Sequence, residues 1–434
     1  MTIKNLIGPA LLLLIFTACK KSNTPDQDPN SKSGTLYYVG CQGAYSFDLS
    51  TGNFNWKKGL SVGGTSGTPY YDNGLIYLAD PYGVACLNAS DGGTKWQLPY
   101  SDLNGFYSGS FAVRVSPVLV DSILYTVGFE GTNFKVDLYA IHKTKGTVLW
   151  QNLLYGQSEN LSQPSIINNK LIIVKIDEIV GYDRNSGQPL WHIRYDSVSI
   201  NPAFNPQKDN DLFYVYDNAQ NKIVVIDPST GHITRWISLP ADFDGNSFAV
   251  NGQQILGVSK TDETSVSCNA YSLDKSTGSI IGSSKVMDKN PYAFPFWDQT
   301  GNHNFLFDLT TDESVCYLYN PIYAMAYDQA TSGQKWKVDL PLKKITDSTN
   351  GSGSMVSSQP LVTNSSLVFL SSYQYIDIAN PGTVKNWYYV DVIDKNTGKP
   401  IKSLPLSNLE CTGIPYYYMI VQGGHGYYSR IDAH

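Results

Sequence analysis

The sequence predicts an all-β protein, a single β-propeller of four-stranded blades. A unit of Asp, then Gly four residues on, then Trp about four residues further recurs along the chain, and alternating strand patterns flank each copy. The composition suits strands as well, with 31 Tyr among 434 residues and only 16% charged. Aromatic and β-branched side chains favour a pleated, half-buried surface. Units spaced by one four-stranded sheet plus its loops build radially repeated folds.

The copies run in order. FDLSTGNFNW carries Asp48, Gly52 and Trp56; LNASDGGTKW has Asn88 in place of Asp, then Gly92 and Trp96; IHKTKGTVLW has His142, Gly146 and Trp150. YDRNSGQPLW carries Asp183, Gly187 and Trp191, and IDPSTGHITRW carries Asp227, Gly231 and Trp236. Three copies are degenerate: Asp274 and Gly278 stand without a Trp, Asp328 and Gly333 read as a one-residue insertion before Trp336, and Asp394 and Gly398 have Ile401 near the Trp place. Asp is expected to bond the backbone of its own turn, Gly to take positive φ, and Trp to pack on the neighbouring unit. Before each turn lie two strands, such as LIYLA and KIVVID, and before these a small-residue and Pro segment such as SGTPYYDN or RVSPVLVD.

Eight units imply eight blades, with seven as the alternative count. The first unit lacks its small-residue strand, and TGIPYYYM near the C-terminus resembles SGTPYYDN. The tail is therefore expected to return and complete the first blade. Cys41 and Cys411 would then approach each other, with a disulfide as one way of joining the ends and strand pairing as the other.

The N-terminus predicts export. Lys4 precedes an apolar run from Leu6 to Phe16, too short to span a bilayer, and Thr17-Ala18-Cys19 resembles a bacterial lipobox. The expected organisation is a lipoprotein signal peptide over 1–18, lipidation of Cys19, a flexible tether over 19–33 and a propeller over 34–434. The tether holds no apolar residue, so burial cannot offset its ordering entropy. Its Asp26, Asp28 and Asn30 lack the Gly and Glu that a calcium loop needs. Removing 1–18 takes away one Lys and no acid, so 30 basic against 37 acidic residues leave −7. No run of Lys or Arg exceeds a pair, which argues against nucleic acid.

Chemistry is sparse. The six His form no H-x-H or H-E-x-x-H spacing, no G-x-S-x-G occurs, and the acidic loops DFDG and TTDES read as solvated. The five Cys after Cys19 include no C-x-x-C pair. The expectation is no catalytic constellation, no metal and no cofactor.

The D-x-x-T/S-G-x-x-x-W unit resembles the pyrroloquinoline-quinone-type propeller repeat, found in quinoprotein dehydrogenases and in outer-membrane assembly lipoproteins of the BamB type. Lipobox, tether and one eight-unit ring look more like the latter, and the adjacent Cys-Cys pair of the quinone enzymes does not occur here. The resemblance implies a non-catalytic, lipid-anchored scaffold at the bacterial outer membrane with protein partners of the cell envelope. Tyr-rich stretches such as NPYAFPFW, SSYQYIDI and NWYYV suit protein anchors or, as the alternative, stacking platforms for a glycan or small ligand.

Overall fold

A computed structural model describes residues 35–421 except 41–42, 50, 61–68, 81–82, 100–116, 131–134, 155–160, 176–177, 195–205, 210, 260–267, 288–307, 313, 320–322, 341–350, 358–360, 363–364, 378–383 and 406–417. Eight antiparallel sheets form the eight blades of a propeller, numbered I to VIII along the chain. Blade II shows the pattern: Tyr70–Asp72, Leu75–Asp80, Gly83–Asn88 and Thr94–Pro99 pair in sequence order. Its third strand is buried almost throughout, whereas its fourth is mostly exposed. The fourth strands thus form the outer wall of the ring.

Blade I takes its second, third and outer fourth strands from the beginning of the chain, Thr35–Gly40, Gly43–Asp48 and Phe54–Gly59, and its inner first strand from late in the chain, Tyr418–Val421. The late strand pairs with Thr35–Gly40 from Leu36↔Val421 to Val39↔Tyr418, so strand pairing closes the ring. Blade VIII departs from the pattern. Its middle strands, Ser366–Asp377 and Val384–Asp394, are 12 and 11 residues long and overrun the others, and Gly351–Ser357 pairs with the overhang as a fifth strand.

The core is a set of apolar layers between consecutive blades. Tyr125, Leu138 and Leu154 of blade III pack with Leu171, Ile173 and Tyr182 of blade IV, and Tyr214, Ile223 and Val225 of blade V with Phe243, Phe248 and Ile255 of blade VI. Alternation explains this: each middle strand has neighbours on both faces, so successive side chains enter opposite layers. Blade V shows it directly, since Tyr214 faces blade VI while Phe213 and Val215 face blade IV.

Candidate functional site at the turn rim

All repeat turns lie on one rim of the ring, and their residues form clasps between blades. Each clasp begins inside one blade. Tyr37, Ser46 and Trp56 stand in cross-strand register on the three strands of blade I. Tyr77, Cys86 and Trp96 do so in blade II, Tyr125, Ala140 and Trp150 in blade III, and Tyr317, Ala326 and Trp336 in blade VII. The small middle residue lets the two rings meet over it, with centroids 6.2, 6.2, 6.0 and 6.1 Å apart. Part of the tyrosine enrichment is therefore internal to the blades.

Each Trp then reaches across to the following blade. The indole N–H of Trp56 donates to the Ala89 carbonyl at 2.9 Å, Trp96 to Lys143 at 2.8 Å, Trp150 to Arg184 at 3.1 Å, Trp191 to Pro228 at 3.0 Å and Trp336 to Lys395 at 3.0 Å. Every acceptor is the residue directly after the Asp position of the next turn. The ring lies flat on that turn's Gly: a Cβ on Gly187 would sit 2.6 Å from the Trp150 ring, and Gly187 has φ +72°. Gly is required there twice, for the left-handed backbone and for the ring above it.

Three joints depart from the sequence reading, and in each the register names the substitute. Trp236, read as the fifth tryptophan of the repeat, lies one residue past the clasp place and is 40% exposed. Arg235 pairs with Val225 at that place, and its guanidinium donates to the Lys275 carbonyl at 3.5 Å. Ile401 is 58% exposed, and its neighbour Lys402 donates to the Leu49 carbonyl at 3.4 Å, joining blade VIII to blade I. Blade VI has Gly282 at the clasp place. There the next turn holds no insertion: Ser332, with φ +55°, occupies the turn position that Gly fills elsewhere, and Gly333 follows it with the Asp328 amide bonded to its carbonyl. Ser332 Oγ lies 2.7 Å from where a Cβ on Gly282 would stand. The pair Trp over Gly has become Gly under Ser.

The Asp residues hold the turns. Asp183 Oδ1 accepts from the Asn185 and Ser186 amides at 3.0 and 2.9 Å and from the Ser186 hydroxyl at 2.9 Å. These bonds, the Ser186 amide foremost, hold its carboxyl below the usual carboxylate range. At Asp274 the Ser276 and Thr277 hydroxyls and the Thr277 amide bring it down to about 2. Beside the indole bonds runs a second set of links: Lys143 with Asp72 at 2.7 Å, Arg184 with Asp121 at 2.8 Å, Lys275 with Asp209 at 2.9 Å, and the Asn251 amide donating to Gln329 at 2.9 Å. Burial would raise Asp209, but the Tyr214 hydroxyl, the Asp211 amide, Lys275 and the Leu212 amide hold it down to about 2. At Lys143, Arg184 and Lys275 the residue after the Asp position thus engages the preceding blade with both its carbonyl and its side chain.

Cys86, Cys268 and Cys316 are buried and unpaired, with burial pushing their thiols up to about 12, 11 and 12. Among the described residues no three His, Cys, Asp or Glu side chains gather as a metal ion would need. Cys19, the tether, Cys41, Cys411 and the 290–297 stretch lie outside the described residues.

Clasped blades in a closed ring of eight define a propeller of the pyrroloquinoline-quinone-type repeat class. The family model described as "Outer membrane protein assembly factor BamB" matches residues 20–174, 83–279 and 177–401, and the chain belongs to that family. It is 27% identical over 172 residues to the outer membrane protein assembly factor BamB of Escherichia coli, covering 38% of this chain and 40% of that one. It is 22% identical over 254 residues to the tetrathionate hydrolase of Acidithiobacillus ferrooxidans, 51% of this chain and 48% of that one. The matched stretches span under half the length of these relatives. Among solved structures, dihydro-heme d1 dehydrogenase NirN superposes with a TM-score of 0.57 at 10% identity over 91% of this chain and 77% of that one, a likeness of fold.

Proposed function

We propose that the protein is a non-catalytic propeller scaffold of the bacterial cell envelope, anchored to the outer membrane through lipid on Cys19, that binds envelope proteins. The observation that carries this reading is the assembly-factor family match across residues 20–401. It is supported by the clasp geometry, in which the repeated Asp, Gly and Trp residues are taken up in turns and blade joints.

The test has three arms. Cys19→Ser should move the protein from the membrane fraction to the soluble fraction after a salt wash; retention overturns the anchor. Crosslinking in cells followed by affinity capture should recover an envelope protein in stoichiometric amount. The purified protein should hydrolyse no tetrathionate and oxidise no alcohol or aldose with added pyrroloquinoline quinone; turnover in either assay overturns the scaffold.

A further inference from the structure

The eight fourth strands, which form the outer wall, differ in charge from the rest of the chain. They hold Lys57, Lys58, Lys95, Arg194, Arg235, Lys285, Lys335, Lys337 and Lys402 against one acid, Asp339, although the whole chain is −6. The charge is not spread evenly. The adjacent blades VII, VIII, I and II carry six of the lysines, and Lys57, Lys58, Lys95, Lys335 and Lys337 are exposed. Ile401, the most exposed large apolar residue described, stands among them at 58%. Opposite, blades III to VI present Leu149, Leu190, Trp236 and Ile281, each 40–49% exposed. The repeat produces both halves by one device. In every fourth strand the pairing skips a residue just before the clasp place, and this bulge carries an exposed side chain: Lys95 and Lys335 on one side, Leu149 and Ile281 on the other.

Chain direction ties the lysine half to the N-terminus. Thr35 pairs with Asp48, so the chain enters blade I at the turn rim, in the middle of the basic blades. From Cys19 to that point the tether is short enough to hold this half near whatever surface carries the lipid. Asp394 accepts from its own turn donors, whereas Asp328 also pairs through Oδ2 with Lys335 at 3.4 Å, so the charge of the wall rests on Lys57, Lys58, Lys95 and Lys337 more than on Lys335.

We propose that the outer wall of blades VII, VIII, I and II is a docking face for an anionic lipid bilayer, so that the ring stands edge-on with its apolar half turned away from the membrane. Lysines flanking an exposed Ile on a convex wall match the chemistry of a headgroup layer: the ammonium groups meet phosphates, and the aliphatic side chain enters the acyl boundary. The contact orients a ring that the tether alone would leave free to tumble. Its placement rests on the proposed Cys19 anchor, but the wall itself is testable without lipid on the protein.

The experiment uses the full chain carrying Cys19→Ser, sedimented with vesicles of phosphatidylethanolamine and phosphatidylglycerol, three parts to one, or of phosphatidylcholine alone. Binding should be confined to the anionic vesicles and fall steeply between low and physiological salt. Lys57→Glu, Lys58→Glu, Lys95→Glu and Lys337→Glu together should lower the bound fraction about tenfold or more with the melting transition unchanged, in line with the attraction of each basic group to such surfaces. Leu149→Ser with Ile281→Ser should leave it unchanged. Equal binding to phosphatidylcholine, or full binding by the charge-reversed protein, overturns the proposal. So does a charge-reversed protein that keeps its vesicle binding but loses a crosslinked partner in cells, which would assign the wall to an acidic polypeptide. Failure of the anchor reads differently: Cys19→Ser stays in the membrane fraction of cells after a salt wash, whatever the vesicles show.

Discussion

Gly282→Trp combined with Ser332→Gly would rebuild, at the joint of blades VI and VII, the Trp-over-Gly contact that Gly92, Gly146, Gly187, Gly231 and Gly398 make elsewhere. Alone, Gly282→Trp drives its Cβ to within 2.7 Å of Ser332 Oγ and 3.3 Å of the Thr331 carbonyl. Overpacking of this kind costs about 1–3 kcal/mol. Alone, Ser332→Gly removes left-handed strain worth about 1 kcal/mol and gives up a comparable amount of packing, for a net near zero. Together the two changes bury about 100 Å² of indole, worth about 2.5 kcal/mol. An added hydrogen bond contributes about 1 kcal/mol, and side-chain ordering takes back a similar amount. The double variant should therefore be about 2 kcal/mol more stable than the natural sequence although its parts sum to a loss. Urea unfolding of all four proteins closes the cycle. Additivity within about 0.5 kcal/mol would refute the idea that these two positions are one compensated pair.

Trp191→Ala should cost about 3–5 kcal/mol in urea unfolding, because its ring is nearly buried between two glycines, whereas Trp236→Ala should shift stability by about 1 kcal/mol or less. Acid should weaken the ring in a defined window. Asp183, Asp209, Asp227, Asp274, Asp328 and Asp394 have folded-state values below their ordinary ones, so their contribution is complete above about pH 4 and is lost as pH falls towards about 2; melting temperatures across that range should drop together, with Asp209→Asn blunting the drop. Ending the chain before Tyr418 leaves Thr35–Gly40 of blade I with an unpaired edge, and limited proteolysis should then cut blade I before any other, with a lower melting point.

The ring was legible because its period is written in residues with separate physical duties. Counting eight residues from Asp, rather than four from Gly, reaches the clasp place in every copy: Trp56 from Asp48, Arg235 from Asp227, Gly282 from Asp274, Trp336 from Asp328 and Lys402 from Asp394. Arg235 and Lys402 escaped notice because an indole N–H and a cationic nitrogen can donate to the same carbonyl yet look unlike in a motif. Ser332 escaped because Gly333 beside it offered a better match to the pattern. The basic half-wall was out of reach for another reason. Lys57, Lys95, Lys335 and Lys402 are far apart in sequence, and only closure of the ring makes their blades neighbours. The overhang of blade VIII was hidden too, since two long alternating stretches do not announce that they pair along their full length.

Blade I draws its strands from both extremities of the chain, and this sets a timetable. While the polypeptide is being made, the blades in between can form and stack one after another, each covering the apolar layer of its predecessor. The first three strands, though synthesised earliest, must wait for Tyr418–Val421 before their sheet is whole. Until then the assembly is an open arc with an uncovered face at each end. A chain lacking Tyr418–Val421 would persist as that arc, ready to stack on a second one. Closure of the ring is therefore checked by the strand that arrives latest among the described residues.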